Sequence, residues 1–306
     1  KEQQKYSFFN KVSTYSHSFG RQKGLIMQVF ERAEELSAFI KKQKDQNLKV
    51  GFVPTMGALH EGHLSLVKHS LSENDITIVS IFVNPTQFNN ADDLARYPRV
   101  PEADLKLLES IATDVVFLPS EKEIYPHGAQ SASIDLNGLD HYMEGRFRPG
   151  HFQGVVTVVK RLFEIVKPTR AYFGEKDYQQ LLIIRYMTRL YNIDTEIISH
   201  RIERGPTGLA LSSRNELMPD ADKDRARDIY AILNWSRDHF REYSPASLQS
   251  AVKDRFENTP LELEYALVCN PQTLAPVEEW DENTGARLFI AAYMGKVRLI
   301  DNVSLF

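Results

Sequence analysis

The chain's most chemically loaded segment is Val50 to His63, Val-Gly-Phe-Val-Pro-Thr-Met-Gly-Ala-Leu-His-Glu-Gly-His. Its apolar start has the make-up of a buried parallel strand. A Pro-Thr-Met-Gly turn follows, and His60-x-Gly62-His63 then opens an apolar-periodic stretch at Leu64, Leu66 and Val67. Strand, glycine turn and helix start together make an anion site, where free backbone N–H groups and the positive end of the helix dipole converge. Gly57 and Gly62 permit close approach of a nucleotide to the backbone. His60 and His63 share a helical face and can meet phosphate oxygens as charge develops on them. A zinc protease helix needs histidines at i and i+4 with a glutamate between, so this spacing does not suit zinc hydrolysis. Two ordinary surface or capping histidines are the alternative reading.

Four further segments carry polar groups that chemistry can use. Ser80 to Phe88 ends an Ile/Val-rich strand in Asn84-Pro85-Thr86-Gln87. Its amides suit a ligand bearing hydroxyls and a carboxylate; a turn with capping side chains explains them equally well. Gly145 to Gly154 is basic and glycine-punctuated. There Arg148 and His151 can receive a carboxylate or phosphate, unless the segment is a solvated loop. Gly174-Glu175-Lys176-Asp177 lies between a strand and a helix and offers a lysine for phosphate charge and an aspartate for a metal; the alternative is a simple left-handed turn. Gly208 to Asn215 clusters Ser212, Ser213 and Arg214 around one permanent cation. It can close over a triphosphate or merely form a polar loop between domains. No Gly-x-Ser-x-Gly elbow surrounds these serines, so they do not read as nucleophiles.

The elements that must position these groups follow from periodicity. Helices are expected over Glu31–Gln46, Pro101–Ala112, Phe152–Val166, Asp177–Tyr191, Asp220–Tyr243 and Pro245–Phe256. Strands are expected over Val50–Val53, Asp75–Val83, Val115–Leu118, Ala171–Phe173, Asp194–Ser199, Leu261–Cys269 and Leu288–Tyr293. The alternation up to residue 199 implies an α/β fold with a doubly wound, Rossmann-like parallel sheet. Its ligands should sit at the carboxyl ends of the strands, where His60, His63, Asn84 and Gly174 fall. A smaller α+β lid domain is expected over residues 200–306, after a nucleotide-binding domain at 27–199. Residues 1–26 are polar and serine-bearing and read as an extension, disordered or artificially appended; an arm packing on a partner is the other reading.

The 306 residues, 42% of them hydrophobic and 25% charged, suit a globular chain of two domains. A formal charge of −4 argues against general nucleic-acid binding. The single cysteine, Cys269, excludes an intramolecular disulfide and any cysteine-built metal site. No apolar run approaches the ~18 residues of a membrane span. A cytoplasmic protein is expected.

His-x-Gly-His after a strand resembles the signature of the nucleotidyltransferase superfamily, which includes class I aminoacyl-tRNA synthetases. Six motifs in one order sharpen this: Pro-Thr-Met-Gly-Ala-Leu-His-Glu-Gly-His, Phe-Val-Asn-Pro-Thr-Gln-Phe, Arg-Tyr-Pro-Arg (96 to 99), Arg-Pro-Gly-His-Phe-Gln-Gly-Val, Phe-Gly-Glu-Lys-Asp-Tyr-Gln-Gln and Gly-Leu-Ala-Leu-Ser-Ser-Arg-Asn. With Arg-Leu-Ile-Asp-Asn (298 to 302), they resemble the pantothenate synthetase family from about Met27 to Phe306. The resemblance implies ATP-dependent condensation of (R)-pantoate with β-alanine through an acyl-adenylate, with a Mg²⁺ requirement and a homodimer. By motif position it implies that Met56, Gly57, Ala58, Leu59, His60, Glu61, Gly62, His63, Gly174, Glu175, Lys176, Asp177, Glu203, Leu211, Ser212, Ser213 and Arg214 line the ATP site. Gln87 and Gln180 would hold pantoate, and Gln87 would also lie near β-alanine. His63, His60, Lys176 and Arg214 would be catalytic, with no direct protein ligand assigned to a metal. Glu203 and Thr207 depart from the family, which usually has a small apolar and an acidic residue there; Thr86 stands where Met is common. Another nucleotidyltransferase of the same fold, acting on a phosphate, and a non-catalytic nucleotide-binding module are the rival readings.

Overall fold

A computed structural model describes residues 27–131 and 133–306; the expected N-terminal extension lies outside them. In chain order the first part contains β1 (Gln28–Phe30), α1 (Ala33–Lys44), β2 (Val50–Thr55), α2 (Glu61–Glu73), β3 (Ile76–Ile81), α3 (Ala91–Arg96), α4 (Pro101–Ser110), β4 (Val115–Phe117), α5 (Glu121–Ile124), α6 (Met143–Phe147), α7 (His151–Val166), β5 (Arg170–Gly174), α8 (Tyr178–Leu190) and β6 (Glu196–His200). The second part contains α9 (Asp220–Arg225), α10 (Asp228–His239), α11 (Pro245–Phe256), β7 (Glu262–Cys269), β8 (Arg287–Met294) and β9 (Val297–Ser304).

The first six strands form one parallel sheet in the order β1-β4-β3-β2-β5-β6. Successive strand residues point to opposite faces, and both faces are apolar. Phe52, Ile78 and Phe117 pack with α1, α7 and α8, while Val53, Val79 and Val116 pack with Leu64 and Val67 of α2 and Leu108 of α4. The result is a Rossmann-like doubly wound layer. The chain winds outward from β2 to β3 and β4, then restarts at β5 beside β2. That reversal opens a crevice at the carboxyl ends of β2 and β5.

The second sheet is antiparallel, in the order β7-β8-β9. One face of β8 (Leu288, Ile290, Ala292) joins the core of α10 and α11, while Phe289 and Ala291 on the other face join the core of α7 and α8. The small sheet is thus sandwiched between its own helices and the large layer. Cys269 is fully buried in this junction, and burial pushes its thiol up to about 12.

Three expectations are corrected. The strand at Val50 is the second, because Gln28–Phe30 forms an edge strand paired with Val115–Phe117; three residues are too short for a period to show. The helix expected over Asp220–Tyr243 is broken. Ile229 N bonds Ala226 O three residues back, and His239 leaves the helical region so that Phe240 can pack on Trp280 and Phe306. Aromatic burial outweighs helical propensity there. The strand Val297–Ser304 was not foreseen, because Asp301 and Asn302 interrupt its apolar pattern; both are buried.

Backbone contact is close where α7 meets the 3₁₀ turn Pro85–Gln87. A Cβ built on Gly154 would lie 2.2 Å from Thr86 O, whereas one built on Gly174 meets nothing within 4 Å. Gly154→Ala should therefore lower the free energy of unfolding by about 1–3 kcal/mol. Gly174→Ala should change it by less than about 1 kcal/mol. Urea denaturation of the two variants checks the contrast.

Candidate active site

The turn between β2 and α2 is held from outside. Gly57 and Ala58 take positive φ of 80° and 50°. The buried carboxylate of Asp104, from α4, accepts Ala58 N at 2.9 Å and Leu59 N at 2.7 Å. Burial raises the Asp104 carboxyl's pKa, and these two N–H donors oppose the rise. Thr55 Oγ1 ties the turn to Ser80 O at 2.7 Å. Asp104 was missed in the sequence, since nothing there links it to a turn 45 residues away.

His60 and His63 are both capping and candidate catalytic groups. His60 is the N-cap of α2, its Nδ1 accepting Gly62 N at 3.1 Å; His63 Nδ1 accepts His60 N at 3.4 Å. With both Nδ1 atoms acting as acceptors, the neutral rings carry their protons on Nε2. The rings lie 4.1 Å apart between centroids. Burial, then the charge of Lys176, lowers His60 to about 4. Burial, His60 and Lys176 hold His63 well below its ordinary value. Two neutral Nε2–H donors therefore stand at the helix N-terminus.

Three other segments meet this end of α2. A Cβ on Gly62 would lie 3.6 Å from that of Leu211. Ser213 Oγ donates to Ala58 O at 3.0 Å, and Ser212 Oγ accepts Arg214 N at 3.3 Å. Arg214 Nη2 donates to Asp93 Oδ2 at 3.0 Å and lies over the Tyr97 ring. Glu203 O accepts Leu211 N at 2.9 Å. The left-handed turn that was the alternative reading at Gly174 is absent: its φ is −77°, and Glu175–Asp177 form a 3₁₀ turn before α8. Lys176 Nζ lies 3.8 Å from Asp177 Oδ2.

The small sheet braces both of these loops. Asn302 Nδ2 donates to Glu175 O at 2.9 Å and to Lys176 O at 3.0 Å, while Arg287 holds its Oδ1. The neighbouring Asp301 grips Arg204 through a guanidinium fork, one arm at 2.9 Å, and Arg204 donates to Gly208 O at 3.0 Å. One strand thus positions the loop of Lys176 and the loop leading to Arg214. The motif at 298–302 was visible in the sequence, but its role was not.

The amide-rich turn shows a division of labour. Asn84 is spent on structure: Nδ2 donates to Gln87 Oε1 at 3.1 Å and Gly154 O at 3.2 Å, and Oδ1 accepts Tyr125 OH at 2.7 Å. Gln87 Nε2 instead reaches Met56 Sδ at 3.1 Å, at the turn between β2 and α2. Gly145–Gly154 is no solvated loop. His151 is buried in the first turn of α7, donating from Nδ1 to Gln87 O at 2.8 Å and accepting Arg148 Nη1 at Nε2, 3.2 Å away. Burial, then Arg148, lowers its imidazole to about 4. Glu144 takes a bidentate Arg298 fork at 2.7 Å on each arm and accepts Tyr265 OH at 2.9 Å. Burial alone would raise the Glu144 carboxyl, but Arg298 and Arg148 hold it at about 2.

Gln180 lines a pocket with Lys176, Asp177, Arg148 and Glu144. The pocket does not touch Gln87, which stands on the β2–α2 side. Among the described residues no three His, Cys, Asp or Glu side chains converge as metal ligands. Mg²⁺ usually arrives with phosphates and waters and needs only one or two carboxylates. The half-exposed Asp177 meets that need.

Comparison with known proteins points to one family. The sequence profile of the family Pantoate-beta-alanine ligase matches residues 28–304. A pantothenate synthetase of Flavobacterium psychrophilum is 44% identical over 281 residues, covering 91% of this chain and 100% of the relative. One from Bacteroides thetaiotaomicron is 45% identical over 278 residues, covering 90% and 98%. The crystal structure of pantothenate synthetase from Thermus thermophilus superposes with a TM-score of 0.84 at 39% identity, covering 92% of this chain and 100% of that one. The pantoate-beta-alanine ligase of Francisella tularensis, complexed with a β,γ-ATP compound and β-alanine, superposes at 0.75 with 39% identity, covering 92% and 98%. With its loops, capping histidines and bracing strand accounted for, this chain belongs to the pantoate-β-alanine ligase family.

Proposed function

We propose that this chain joins (R)-pantoate to β-alanine at the expense of ATP, giving pantothenate, AMP and diphosphate. The observation that carries the reading is the meeting of two neutral Nε2–H donors and the charge of Lys176 at one helix N-terminus, against which Ser213, next to Arg214, is bonded through Ala58 O. A carboxylate is a poor electrophile, because its carbonyl is anionic and resonance-stabilised. Attack of the pantoate carboxylate on the α-phosphate makes a mixed anhydride and expels diphosphate. The β-alanine amine then attacks the acyl carbon, AMP leaves, and the amine loses its proton. No side chain need be modified.

Charge develops on the α-phosphate and departing diphosphate in the first step. His60 and His63 would donate from Nε2 without a proton-transfer step, and Lys176 and Arg214 would supply fixed positive charge. The segments Met56–His63, Gly174–Asp177, Glu203 and Leu211–Arg214 would bind ATP. Gln87 and Gln180 would hold pantoate, with Gln87 near β-alanine. Asp177 would hold Mg²⁺ brought with the nucleotide; such an ion neutralises phosphate charge. A nucleotide-binding body at 27–199 and a lid at 200–306, a homodimeric assembly and a cytoplasmic site of action belong to the same proposal. A phosphate acceptor in place of pantoate is not favoured, given the relatives' shared name.

The deciding experiment measures diphosphate release with ATP, Mg²⁺ and (R)-pantoate, with and without β-alanine. Sustained release only with both substrates, giving AMP and pantothenate, is expected; nucleotide binding without pantoate-dependent release would sink the reading. His63→Ala should lower the adenylation rate by about 10²–10³. Asn302→Ala frees the Glu175 and Lys176 carbonyls, so kcat/KM for ATP should fall by roughly 10–100-fold while far-UV circular dichroism stays native.

Protonation supplies another check. An imidazole lowered to about 4 in the fold, against an ordinary 6.5, binds its proton more readily when unfolded. Its stabilisation is complete above about 6.5 and lost as pH falls towards 4. His151→Asn keeps the donor to Gln87 but cannot titrate. Between those limits its slope of unfolding free energy against pH should be shallower than wild type by up to about 1.4 kcal/mol per pH unit, read from urea titrations at stepped pH.

A further inference from the structure

Past His63, α2 carries Ser65 and His69 one turn apart, facing the end of β6, and none of the groups proposed for ligation involves either. With its single proton on Gly62 O at 3.1 Å, Ser65 Oγ accepts from His200 Nε2–H, 2.9 Å away. Glu203 Oε1 lies 3.4 Å from the same nitrogen. On the other ring, His69 Nε2 faces Glu73 Oε1 at 3.3 Å, and Glu73 Oε2 is taken by Tyr172 OH at 2.8 Å. With the protons so placed, both imidazoles carry hydrogen on Nε2 and turn their Nδ1 atoms inward. Those two Nδ1 atoms stand 3.1 Å apart, with ring centroids 5.2 Å apart.

Two lone pairs facing each other at that distance repel unless an electrophile lies between them. Two bonds of ~2.0–2.1 Å from a zinc-class ion at a tetrahedral angle span about 3.3 Å between nitrogens, close to the observed gap. Each ring is also backed at its far nitrogen by a carboxylate, the arrangement that orients histidine ligands and raises their basicity. The nearby cations are already engaged: Arg170 lies on Glu196 and Glu73, and Arg201 on Glu203. Lys68, on the outer face of α2, pairs with Glu61. The His69 and His200 side chains retain 29% and 17% exposure, which leaves room for water to complete a coordination shell. A hard ion such as Mg²⁺ prefers oxygen, whereas imidazole suits Zn²⁺, Co²⁺, Ni²⁺ and Cu²⁺.

We infer that His69 and His200 form an open two-imidazole site for one divalent ion of the zinc class, bound through both Nδ1 atoms with water completing the shell. The ion would tie α2 to the end of β6, three residues before Glu203, whose carbonyl anchors Leu211. It is a different ion in a different place from the one proposed to accompany ATP, so the site stands or falls independently of the ligation chemistry.

The test is calorimetric titration of the full chain with Zn²⁺ in excess Mg²⁺ at neutral pH, for wild type, His69→Gln, His200→Gln and the double variant. The expected result is a single strongest site per chain, weakened at least tenfold by either substitution, with a Zn²⁺-dependent rise in Tm that the double variant lacks. Binding equal in wild type and double variant would overturn the proposal, since the ion would then sit elsewhere. So would no binding to wild type, which would mean that the Nδ1 atoms share only a proton. Should a variant fail to fold, electron paramagnetic resonance of Cu²⁺ on the wild type decides. Hyperfine coupling to two imidazole nitrogens supports the site, and coupling to fewer overturns it.

Discussion

The buried carboxylate of Asp104 holds the arrangement together. It stands where the chain leaves β2 in a left-handed turn and accepts the two amides of Ala58 and Leu59 that the turn would otherwise orphan. An unpaired buried N–H costs about 1–3 kcal/mol, so the turn is stable only while α4 packs beneath it. With the turn held, His60 can cap α2 and His63 can cap His60 in return. The same bonds that begin the helix choose the tautomers, and burial keeps both rings neutral. Local structure and protonation state are here one constraint.

Around that turn the site is assembled by parts that share no local sequence. β9 reaches back across the junction with Asn302 on one loop and Asp301 on another. The small sheet can do so because its β8 strand has two apolar faces, one for α10 and α11 and one for the large layer. Glu144, Arg298 and Tyr265 form a buried polar joint across the same seam. Removing one partner from such a joint leaves a buried charge exposed to none of its counterparts, which costs far more than the joint contributes when intact. The seam is therefore specific in register, and the pocket lined by Gln180 and Lys176 lies along it.

The chain's own residues made the large layer legible. Val50–Thr55, Ile76–Ile81 and His151–Val166 fall close to where apolar runs and helical period predict them, because buried parallel strands must be apolar on both faces. His60, Gly62 and His63 were legible as a helix start, since capping is a local matter of a few residues. The edge strand Gln28–Phe30 and the polar strand Val297–Ser304 were not, because each depends on a partner brought by the fold.

Sequence by itself determined the fold class, the glycine turn that starts α2 and the set of polar side chains available, through periodicity, glycine placement and motif order. Only the tertiary structure decided which of them meet. Asn84 became a brace while the neighbouring Gln87 turned to Met56, and Arg148 and His151 became buried partners rather than loop groups. Asp104, Asn302 and the His69–His200 pair gained their positions from elements between 45 and 131 residues apart. Spacing along the chain carries no information about such contacts. They are set by how the sheets stack, and burial then fixes the charge of each group that the stacking encloses.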